Sequence, residues 1–514
     1  MINMSEFILE EATIDSVHRA LKSGVLTVER LVEMYLERIE QIDRNGPKLN
    51  SVVSVNPHVR DEARALDREF ARTGQFVGPL HGVPLLVKDQ IETAGIQTTF
   101  GSAAQRGYVP EKDATAIAQL KRAGALVLAK TTMPDFATSW FGFSSMSGET
   151  LNPYDLARDS GGSSSGTAAG IAANLGLVGI GEDTGGSIRL PASFNNLIGV
   201  RVTPGLISRD GMSPLVVFQD TAGPMARTVT DAAMLLDCMV GYDPLDEYTV
   251  AHRIAGHSGS YAGHLDAAGL KSVRVGVLRQ AFGSDSDPEC AMVNDVIRGA
   301  LEQLQAAGAV LVELNIPDLM EQIFETSLYL THSRADLNAF LAARPELPYR
   351  SLDAIREAGQ FHPVLDLLSS VFDGPERPED DPDYFRKLAA RERFQRVVVK
   401  IMADADVQAL CYPAVQVLAP KKDDVRAGRT NTLTFPTNTL IASQTWMPSI
   451  CLPAGFTGTG LPVGMELVVL PYHEPDLFRF GYAFEQVSRH RKAPVFDEAS
   501  VASREMNTGE HATH

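Results

Sequence analysis

The most chemically suggestive segment of this sequence is DTGGSIR, residues 183–189. Because glycine has no side chain, a carbonyl oxygen can approach the backbone N–H groups of Gly185 and Gly186 closely. Ser187 follows directly and could act as the nucleophile of an acyl transfer. Amide hydrolysis needs both features, a nucleophile and donors for the oxygen that becomes negative. Gly-Gly-Ser alone is common in loops, so a base must also be found.

A lysine and a group of serines earlier in the chain could provide that base. Lys88 follows the apolar run 82–87, which predicts a buried strand, and burial would favour the uncharged amine. An uncharged lysine can accept a proton at neutral pH. The run SGGSSSG at 160–166 offers hydroxyls that could relay this proton from Ser187. Taken alone, Lys88 would instead be interpreted as a surface lysine at a strand end.

The elements that must position these residues predict an α/β fold with a sheet covered by helices on its faces. Helices are predicted over 28–42, 114–122, 167–175, 231–240, 293–306 and 475–489, with a mostly helical region over 320–393 interrupted by a loop at 373–383. Strands are predicted over 82–87, 126–129, 273–278, 310–314, 407–412 and 465–470. The glycine-rich segment 152–191 interrupts this alternation, which marks it as the site.

Composition excludes several classes of protein. The 514 residues carry a formal net charge of -18, whereas binding to nucleic acid needs clustered Lys and Arg. The four cysteines are far apart and are expected to be buried thiols in a reducing compartment. Residues 1–20 lack the pattern of a signal peptide, and no apolar stretch is long enough to span a bilayer. We therefore expect a cytoplasmic protein that binds neither nucleic acid nor membrane.

The order of the motifs resembles that of the amidase-signature family over most of the chain. The matching segments are GVP at 82–84, KD at 88–89, KTTMPDFA at 130–137, NPY at 152–154, GGSSSG at 161–166, DTGGSIRLP at 183–191 and GLPVG at 460–464. The resemblance implies an amide hydrolase with a mixed central β-sheet covered by helices on both faces. Two departures, SGT at 165–167 and MPD at 133–135, leave the subfamily and therefore the substrate open.

The same resemblance implies a catalytic triad of Lys88, Ser163 and Ser187. Ser187 would be acylated, and Ser163, bound through a cis peptide, would relay its proton to Lys88. The separation of 24 residues between the two serines (187 − 163) fits the family's spacing. The implied oxyanion hole consists of four consecutive backbone N–H groups, those of Thr184, Gly185, Gly186 and Ser187.

Five further residues are expected to be structural. Asp183 and Arg189 would brace the loop as a buried, hydrogen-bonded ion pair. Ser164 and Ser165 are expected to be structural hydroxyls, and His81 is expected to pack, because a Ser-Ser-Lys triad requires no histidine. No metal and no organic cofactor is expected, since the dinucleotide and phosphate-binding fingerprints are both missing.

The expected organisation is one domain over 1–496, in which residues 60–240 carry the catalytic motifs and residues 318–445 shape the substrate pocket. Residues 497–514 are expected to be a disordered tail. A small-molecule amide is the expected ligand, and a homodimer is compatible with the sequence. Four segments are candidates for the pocket wall, namely 140–143, 216–218, 320–393 and 434–446. Their apolar content favours aliphatic or aryl amides, anilides, carbamates or peptide amides over charged compounds.

Three alternative interpretations fit parts of the sequence. GSSSG at 162–166 matches G-x-S-x-G with Ser164 as nucleophile, but the apolar strand that this motif requires is missing before it. The amidase subunit of a tRNA-dependent amidotransferase shares the motifs, whereas the long helical region is typical of stand-alone amidases. A non-catalytic binding module on the same fold is the third, and retention of all three triad residues argues against it.

Overall fold

The fold is built on one mixed sheet of eleven strands. A computed structural model describes residues 7–255 and 260–496, so the predicted tail at 497–514 lies outside the described residues. The strands are β1 Val52–Val55, β2 Pro84–Lys88, β3 Leu126–Thr131, β4 Val178–Asp183, β5 Ile198–Arg201, β6 Thr221–Ala226, β7 Arg274–Leu278, β8 Val310–Leu314, β9 Ala409–Pro413, β10 Ser449–Phe456 and β11 Pro462–Val468. Two small two-stranded sheets lie beside it, over 143–149 and 151–159.

Helices cover this sheet. They are α1 Ile14–Lys22, α2 Val28–Arg38, α3 Val59–Thr73, α4 Thr115–Arg122, α5 Ser165–Ala172, α6 Arg189–Phe194, α7 Val229–Asp237, α8 Val250–Ala255, α9 Pro288–Ala306, α10 Leu319–Glu325, α11 Tyr329–Ala342, α12 Leu352–Glu357, α13 Asp366–Phe372, α14 Tyr384–Asp404, α15 Lys422–Arg426, α16 Leu440–Gln444 and α17 Glu474–Ser488. The predicted α/β class is confirmed. In the described part of the chain, no helix has the length and apolar character needed to cross a membrane.

The strand order is β1-β3-β2-β4-β6-β5-β10-β11-β9-β7-β8. Strand β2 is parallel to both β3 and β4, and β7 is parallel to both β8 and β9, while the strands between these groups are antiparallel. All residues of β2, β3 and β4 are buried, because helices cover both faces of such strands. Lys88 and Asp183 therefore end two neighbouring parallel strands inside the protein.

The predicted elements are present with small changes at their ends. Thr27 begins α2 by accepting a hydrogen bond from the N–H of Arg30 at 3.1 Å, and the helix continues as a π-helix over Ile39–Arg44. Strands β5, β6 and β10 were not predicted, although they lie at the centre of the sheet. Glycine and proline inside β6 (TAGPMA) and β10 (SICLPAGF) conceal the strand pattern.

Helix α5 lies directly against the sheet. All eight of its residues are buried, and they are small enough for the helix to approach β1 and β2 closely. A Cβ atom added at Gly166 would clash with the carbonyl oxygen of Ser51, and one added at Gly170 would come within 2.7 Å of Leu86 Cδ1. Because the first turn of α5 is packed tightly against Ser51 and Thr132, the serine-rich loop that precedes the helix has a fixed position.

The close contact between Gly166 of α5 and Ser51 predicts how a substitution at Gly166 affects stability. Replacement Gly166→Ala should lower the free energy of unfolding by about 1–3 kcal/mol, because the methyl group has no space beside Ser51. The matched control is Gly299→Ala in α9, where an added Cβ meets nothing within 4 Å. This control should be neutral or stabilising by up to about 1 kcal/mol, because alanine favours helix. Urea unfolding of both variants measures the difference, and equal midpoints would contradict the tight contact.

Candidate active site

Three elements bring a buried lysine beside a serine. Lys88 is the last residue of β2 and is 0% exposed, and its Nζ lies 2.8 Å from the Oγ of Ser163. Ser163 lies in the loop before α5, and the Gly162–Ser163 peptide bond is cis, the form that the family resemblance implied. The lysine Nζ also donates to the backbone carbonyl of Glu182 at 3.1 Å. The amine and the hydroxyl are thus in direct hydrogen-bond contact.

Two opposing effects act on the Lys88 amine. Burial lowers its pKa, because an ammonium group loses its hydration there, and the Glu182 carboxylate, whose Oε2 lies 3.3 Å from Nζ, opposes this change. More distant carboxylates, Asp183 and Asp220, oppose it as well, but the pKa remains below its ordinary value. A greater fraction of Lys88 is therefore uncharged at a given pH than of a lysine in water.

Glu182 is a site residue that the sequence analysis missed. Consecutive residues of a strand point to opposite faces, so on β4 Glu182 faces Lys88 while Asp183 faces away. The hydroxyl of Thr184 lies 3.1 Å from Glu182 Oε1 and 2.6 Å from Asp220 Oδ1. Burial raises the pKa of both acids; the Asp183 carboxylate raises that of Glu182 further, and the Glu182 carboxylate raises that of Asp220. The Thr184 hydroxyl has one proton and can donate it to only one of the two carboxyl groups at a time. The carboxyl group that does not receive this hydrogen bond is therefore favoured to keep its own proton.

The loop after β4 presents a row of free donors. Within the described residues, none of the N–H groups of Thr184, Gly185, Gly186 and Ser187 donates to a protein acceptor. Gly186 has a φ of +146°, and a Cβ added there would clash with the side chain of Thr439. Ser187, the next residue, lines a cleft and is 2% exposed. The arrangement can bind an oxygen atom that carries negative charge.

A buried ion-pair network holds this loop. Asp183 accepts bonds from Arg189 at 3.0 and 3.1 Å, from Arg201 at 2.9 Å and from the N–H of Ile188 at 3.0 Å. Arg189 also donates to Glu466 on β11 at 2.8 Å. Burial alone would raise the pKa of Asp183, but the two guanidinium groups lower it to about 2. The carboxylate is therefore charged throughout the pH range in which most proteins are folded.

A pocket of about 230 Å³ opens in front of Ser187. Its wall is largely apolar and includes Trp140, Leu215, Ile323, Phe324, Leu367 and Leu440. Among the described residues that line it, there is no Asp, Glu, Lys, Arg or His. Helices α10, α11, α13 and α16 contribute much of this wall.

Some of the predicted wall segments lie elsewhere. Phe141 packs edge-on against Phe435, and Phe143 against His362. Phe218 does not line the pocket either, whereas Leu215 does. Arg391 lies 5.1 Å from the ring centres of both Phe218 and Trp446, so these aromatic residues pack around a buried cation.

Ser164 and His81 make contacts within the protein, whereas Ser165 is buried with no hydrogen-bond partner for its Oγ among the described residues. Ser164 Oγ donates to the carbonyl of Glu182 at 3.3 Å, and its Oγ also accepts from the Glu182 N–H at 3.4 Å. Ser165 begins α5 and is fully buried. His81 stacks on Phe76 with ring centres 4.6 Å apart. Cys290, Cys411 and Cys451 are buried thiols, whereas Cys238 is partly exposed, so the expectation of four buried thiols was wrong at Cys238.

Comparison with known proteins shows which family this chain resembles in sequence and fold. The sequence matches the family model described as Amidase over residues 30–478. It is 31% identical to a probable amidase of Arabidopsis thaliana, over 96% of this chain and 93% of that protein. It is 30% identical to a glutamyl-tRNA(Gln) amidotransferase subunit from Synechococcus sp. (strain JA-2-3B'a(2-13)), over 95% of each. The fold is similar to the X-ray structure of native peptide amidase from Stenotrophomonas maltophilia, with a TM-score of 0.84 and 34% identity over 95% of this chain and 99% of that one.

A mixed sheet that carries a buried lysine, a serine-rich loop and a glycine loop defines a class of hydrolases that act on C–N bonds. The chain belongs to the amidase family. The family and the fold class that the sequence predicted are therefore confirmed.

The ion-pair network predicts a large loss of stability for Asp183→Asn. This change leaves Arg189 and Arg201 buried without their shared anion, so the free energy of unfolding should fall by about 3–5 kcal/mol at pH 7. The pKa of Asp183 is about 2 instead of the ordinary 3.8, so its stabilisation is complete above about 3.8 and is lost as the pH falls through about 2. The difference between the two proteins should therefore shrink in acid.

The control for this measurement is Asp404→Asn, which removes an exposed ion pair with Lys400. It should leave the melting temperature nearly unchanged, because exposed ion pairs contribute little. Thermal melts of the three proteins between pH 3 and pH 7 provide the comparison. Equal destabilisation by the two substitutions would contradict a structural role for the buried network.

Proposed function

We propose that this enzyme hydrolyses a carboxylic amide through an acyl-enzyme on Ser187, with Ser163 and Lys88 as its proton relay. The observation that carries the proposal is the 2.8 Å contact between the buried Lys88 amine and Ser163 Oγ, in a protein whose cleft is lined by Ser187. A lysine that burial keeps partly uncharged can accept a proton, and a serine hydroxyl can both accept and donate one.

Acylation uses this contact. Ser187 Oγ attacks the amide carbon while its proton passes to Ser163 Oγ, and the Ser163 proton passes to the Lys88 amine. When the C–N bond breaks, the same proton returns from Lys88 through Ser163 to the nitrogen of the leaving amine. The acyl group is then an ester on Ser187, and Lys88 is uncharged again. Water attacks this ester with the same relay as base, which releases the carboxylic acid and restores Ser187.

The glycine loop after β4 would stabilise the negative charge that develops during the reaction. In the tetrahedral intermediate the former carbonyl oxygen is negative, and the N–H groups of residues 184–187 are the free donors beside Ser187. Fixed donors of this kind stabilise the transition state because they need no reorganisation when the charge appears. Asp183 and Arg189 hold the loop from behind and are positioning residues.

The pocket supports an uncharged substrate. A charged acyl group would lose its hydration in a wall made of Trp140, Leu367 and similar side chains, and none of the described lining residues could pair with it. The substrate is therefore an aliphatic or aryl amide, an anilide, a carbamate, a peptide amide or a related ester. In the amide substrates, the bond cleaved is a linear C–N bond outside the peptide backbone. In this proposal residues 60–240 supply the chemistry, and residues 318–445 select the substrate within one domain.

Membership of an amidotransferase complex is the second candidate, supported by the 30% identity to the glutamyl-tRNA(Gln) amidotransferase subunit from Synechococcus. The two proposals differ in what the purified chain can do. A stand-alone amidase hydrolyses chromogenic acyl anilides by itself. A component of an amidotransferase would co-purify with partner proteins from its source and would need them for activity. A non-catalytic binding module would form no acyl-enzyme at all.

The nucleophile is tested by Ser187→Ala with Ser164→Ala as the matched control. Loss of the nucleophile should lower kcat by a factor on the order of 10⁴ or more, whereas Ser164→Ala should keep most of the activity. In the wild-type protein, phenylmethylsulfonyl fluoride should label Ser187, and hydroxylamine should divert the acyl group to a hydroxamate. With one acyl group, the ratio of hydroxamate to acid should not depend on the leaving amine. A label on Ser164 would refute this assignment.

The base is tested by Lys88→Arg. Arginine keeps its charge at ordinary pH, so this variant should be as inactive as Lys88→Ala, by about 10²- to 10⁴-fold. Because the pKa of Lys88 is lowered, kcat/KM of the wild type should rise with pH as the amine becomes uncharged. Rates of all three proteins from about pH 5 to about pH 10 measure this, with thermal melts as the folding control. A folded and active Lys88→Arg enzyme would remove Lys88 from the triad.

A further inference from the structure

A tyrosine hydroxyl lies against the glycine loop, outside the proposed triad. Tyr329 is the first residue of α11, and its side chain lines the same cleft as Ser187. A Cβ atom added at Gly185 would clash with the Tyr329 hydroxyl and would lie 2.8 Å from Trp140 Cη2. The face of the loop at Gly185 is therefore flanked by an indole carbon, which cannot donate a hydrogen bond, and by a phenol, which can.

One amide group fixes the position of this hydroxyl. The Nε2 of Gln219 donates to the carbonyl oxygen of Thr184 at 2.6 Å and to the hydroxyl oxygen of Tyr329 at 3.3 Å. Gln219 is 1% exposed, so this amide has little freedom to move. The hydroxyl is consequently tied to the loop that carries the free N–H donors.

The proton of this hydroxyl has no acceptor among the described residues. The oxygen accepts from Gln219, and no hydrogen bond from Tyr329 Oη to a protein acceptor is present in residues 7–255 and 260–496. Burial raises the pKa of Tyr329, and the nearby Asp183 carboxylate raises it further, so the hydroxyl keeps its proton at neutral pH. Hydroxyl donors away from bulk water normally have an acceptor, which at this position must come from the contents of the cleft.

We propose that Tyr329 is a catalytic residue that donates a hydrogen bond to the substrate carbonyl oxygen as that oxygen becomes negative. This inference rests on the proposed acyl-enzyme on Ser187. The oxygen is the acceptor that the reaction brings to the glycine loop, and its need for donors grows in the transition state. The leaving nitrogen needs a proton transferred to it, and Lys88 provides that proton through Ser163. Tyr329 therefore adds a side-chain donor to the backbone N–H groups of residues 184–187 and transfers no proton.

The first test is Tyr329→Phe, which removes the hydroxyl and keeps the ring in the apolar wall. With a chromogenic acyl anilide, kcat should fall by about 10- to 100-fold, while KM should change by less than about threefold. Tyr384→Phe at the start of α14 is the matched control, because Tyr384 is outside the lining of the cleft and should retain full activity. Unchanged kcat in Tyr329→Phe would overturn the proposal.

A second measurement separates catalysis from packing. A trifluoromethyl ketone adds to a serine nucleophile and creates an oxyanion, whereas the corresponding alcohol fills the same pocket without reacting. The ketone should bind Tyr329→Phe about 10- to 100-fold more weakly than it binds the wild type, and the alcohol should bind both equally. Equal weakening of both compounds would assign Tyr329 a packing role and overturn the proposal. The ratio of the two affinities is independent of the amount of folded enzyme, so a destabilised variant still gives an answer.

The same compounds distinguish this proposal from the proposed function. If the ¹⁹F NMR spectrum of the ketone with the wild-type enzyme shows no hemiketal signal that is absent with Ser187→Ala, the acyl-enzyme proposal fails. If the adduct forms on Ser187 and the ketone binds Tyr329→Phe as tightly as the wild type, only the role of Tyr329 is refuted.

Discussion

The carboxylate of Asp183 joins the parts of the protein that the chemistry requires. Asp183 ends the strand beside that of Lys88, and its carboxylate binds Arg189 behind the glycine loop and Arg201 at the end of β5, beyond β6 in the sheet. Through Arg189 the network reaches Glu466 near the end of the chain. Each of these charges would be costly to bury alone, so the loop keeps its shape only while all the partners are present. In the proposed function, the donors of the oxyanion hole must be fixed before the charge develops, and this network would supply that rigidity.

The sequence predicted the residues of the candidate site more completely than it predicted the strands of the surrounding sheet. Lys88, Ser163 and Ser187 lie in short motifs whose order is readable, and the structure brings Lys88 and Ser163 into contact. The central strands 221–226 and 449–456 were missed, because each contains Gly and Pro and is recognised as a strand only once its neighbours are in place. Strand 449–456 pairs with β11 directly after it, but its other partner is the distant β5, and strand 221–226 pairs with β4 and β5 earlier in the chain, which no local pattern records.

Two site residues were missed for different reasons. Glu182 lies next to Asp183 in the motif, and the alternation of a strand could have placed it on the opposite face, beside Lys88. Tyr329 gave no comparable signal. It begins a helix in a region without recognisable motifs, and its relation to Gly185 depends on how that region packs on the sheet. Sequence motifs thus reveal site residues that the strands position. Site residues on the covering helices are recognised only in the tertiary structure.

The position of β10 and β11 has a consequence for the order in which the protein forms. These two strands come late in the chain, yet they lie in the middle of the sheet between β5 and β9. A nascent chain that has been synthesised only as far as the serine motifs still lacks its central strands and the Glu466 partner of Arg189, which is 277 residues away. Such distant pairings form slowly, and unpaired strands are prone to aggregate meanwhile. The Arg189–Glu466 contact behind the glycine loop can therefore form only after β11 has left the ribosome.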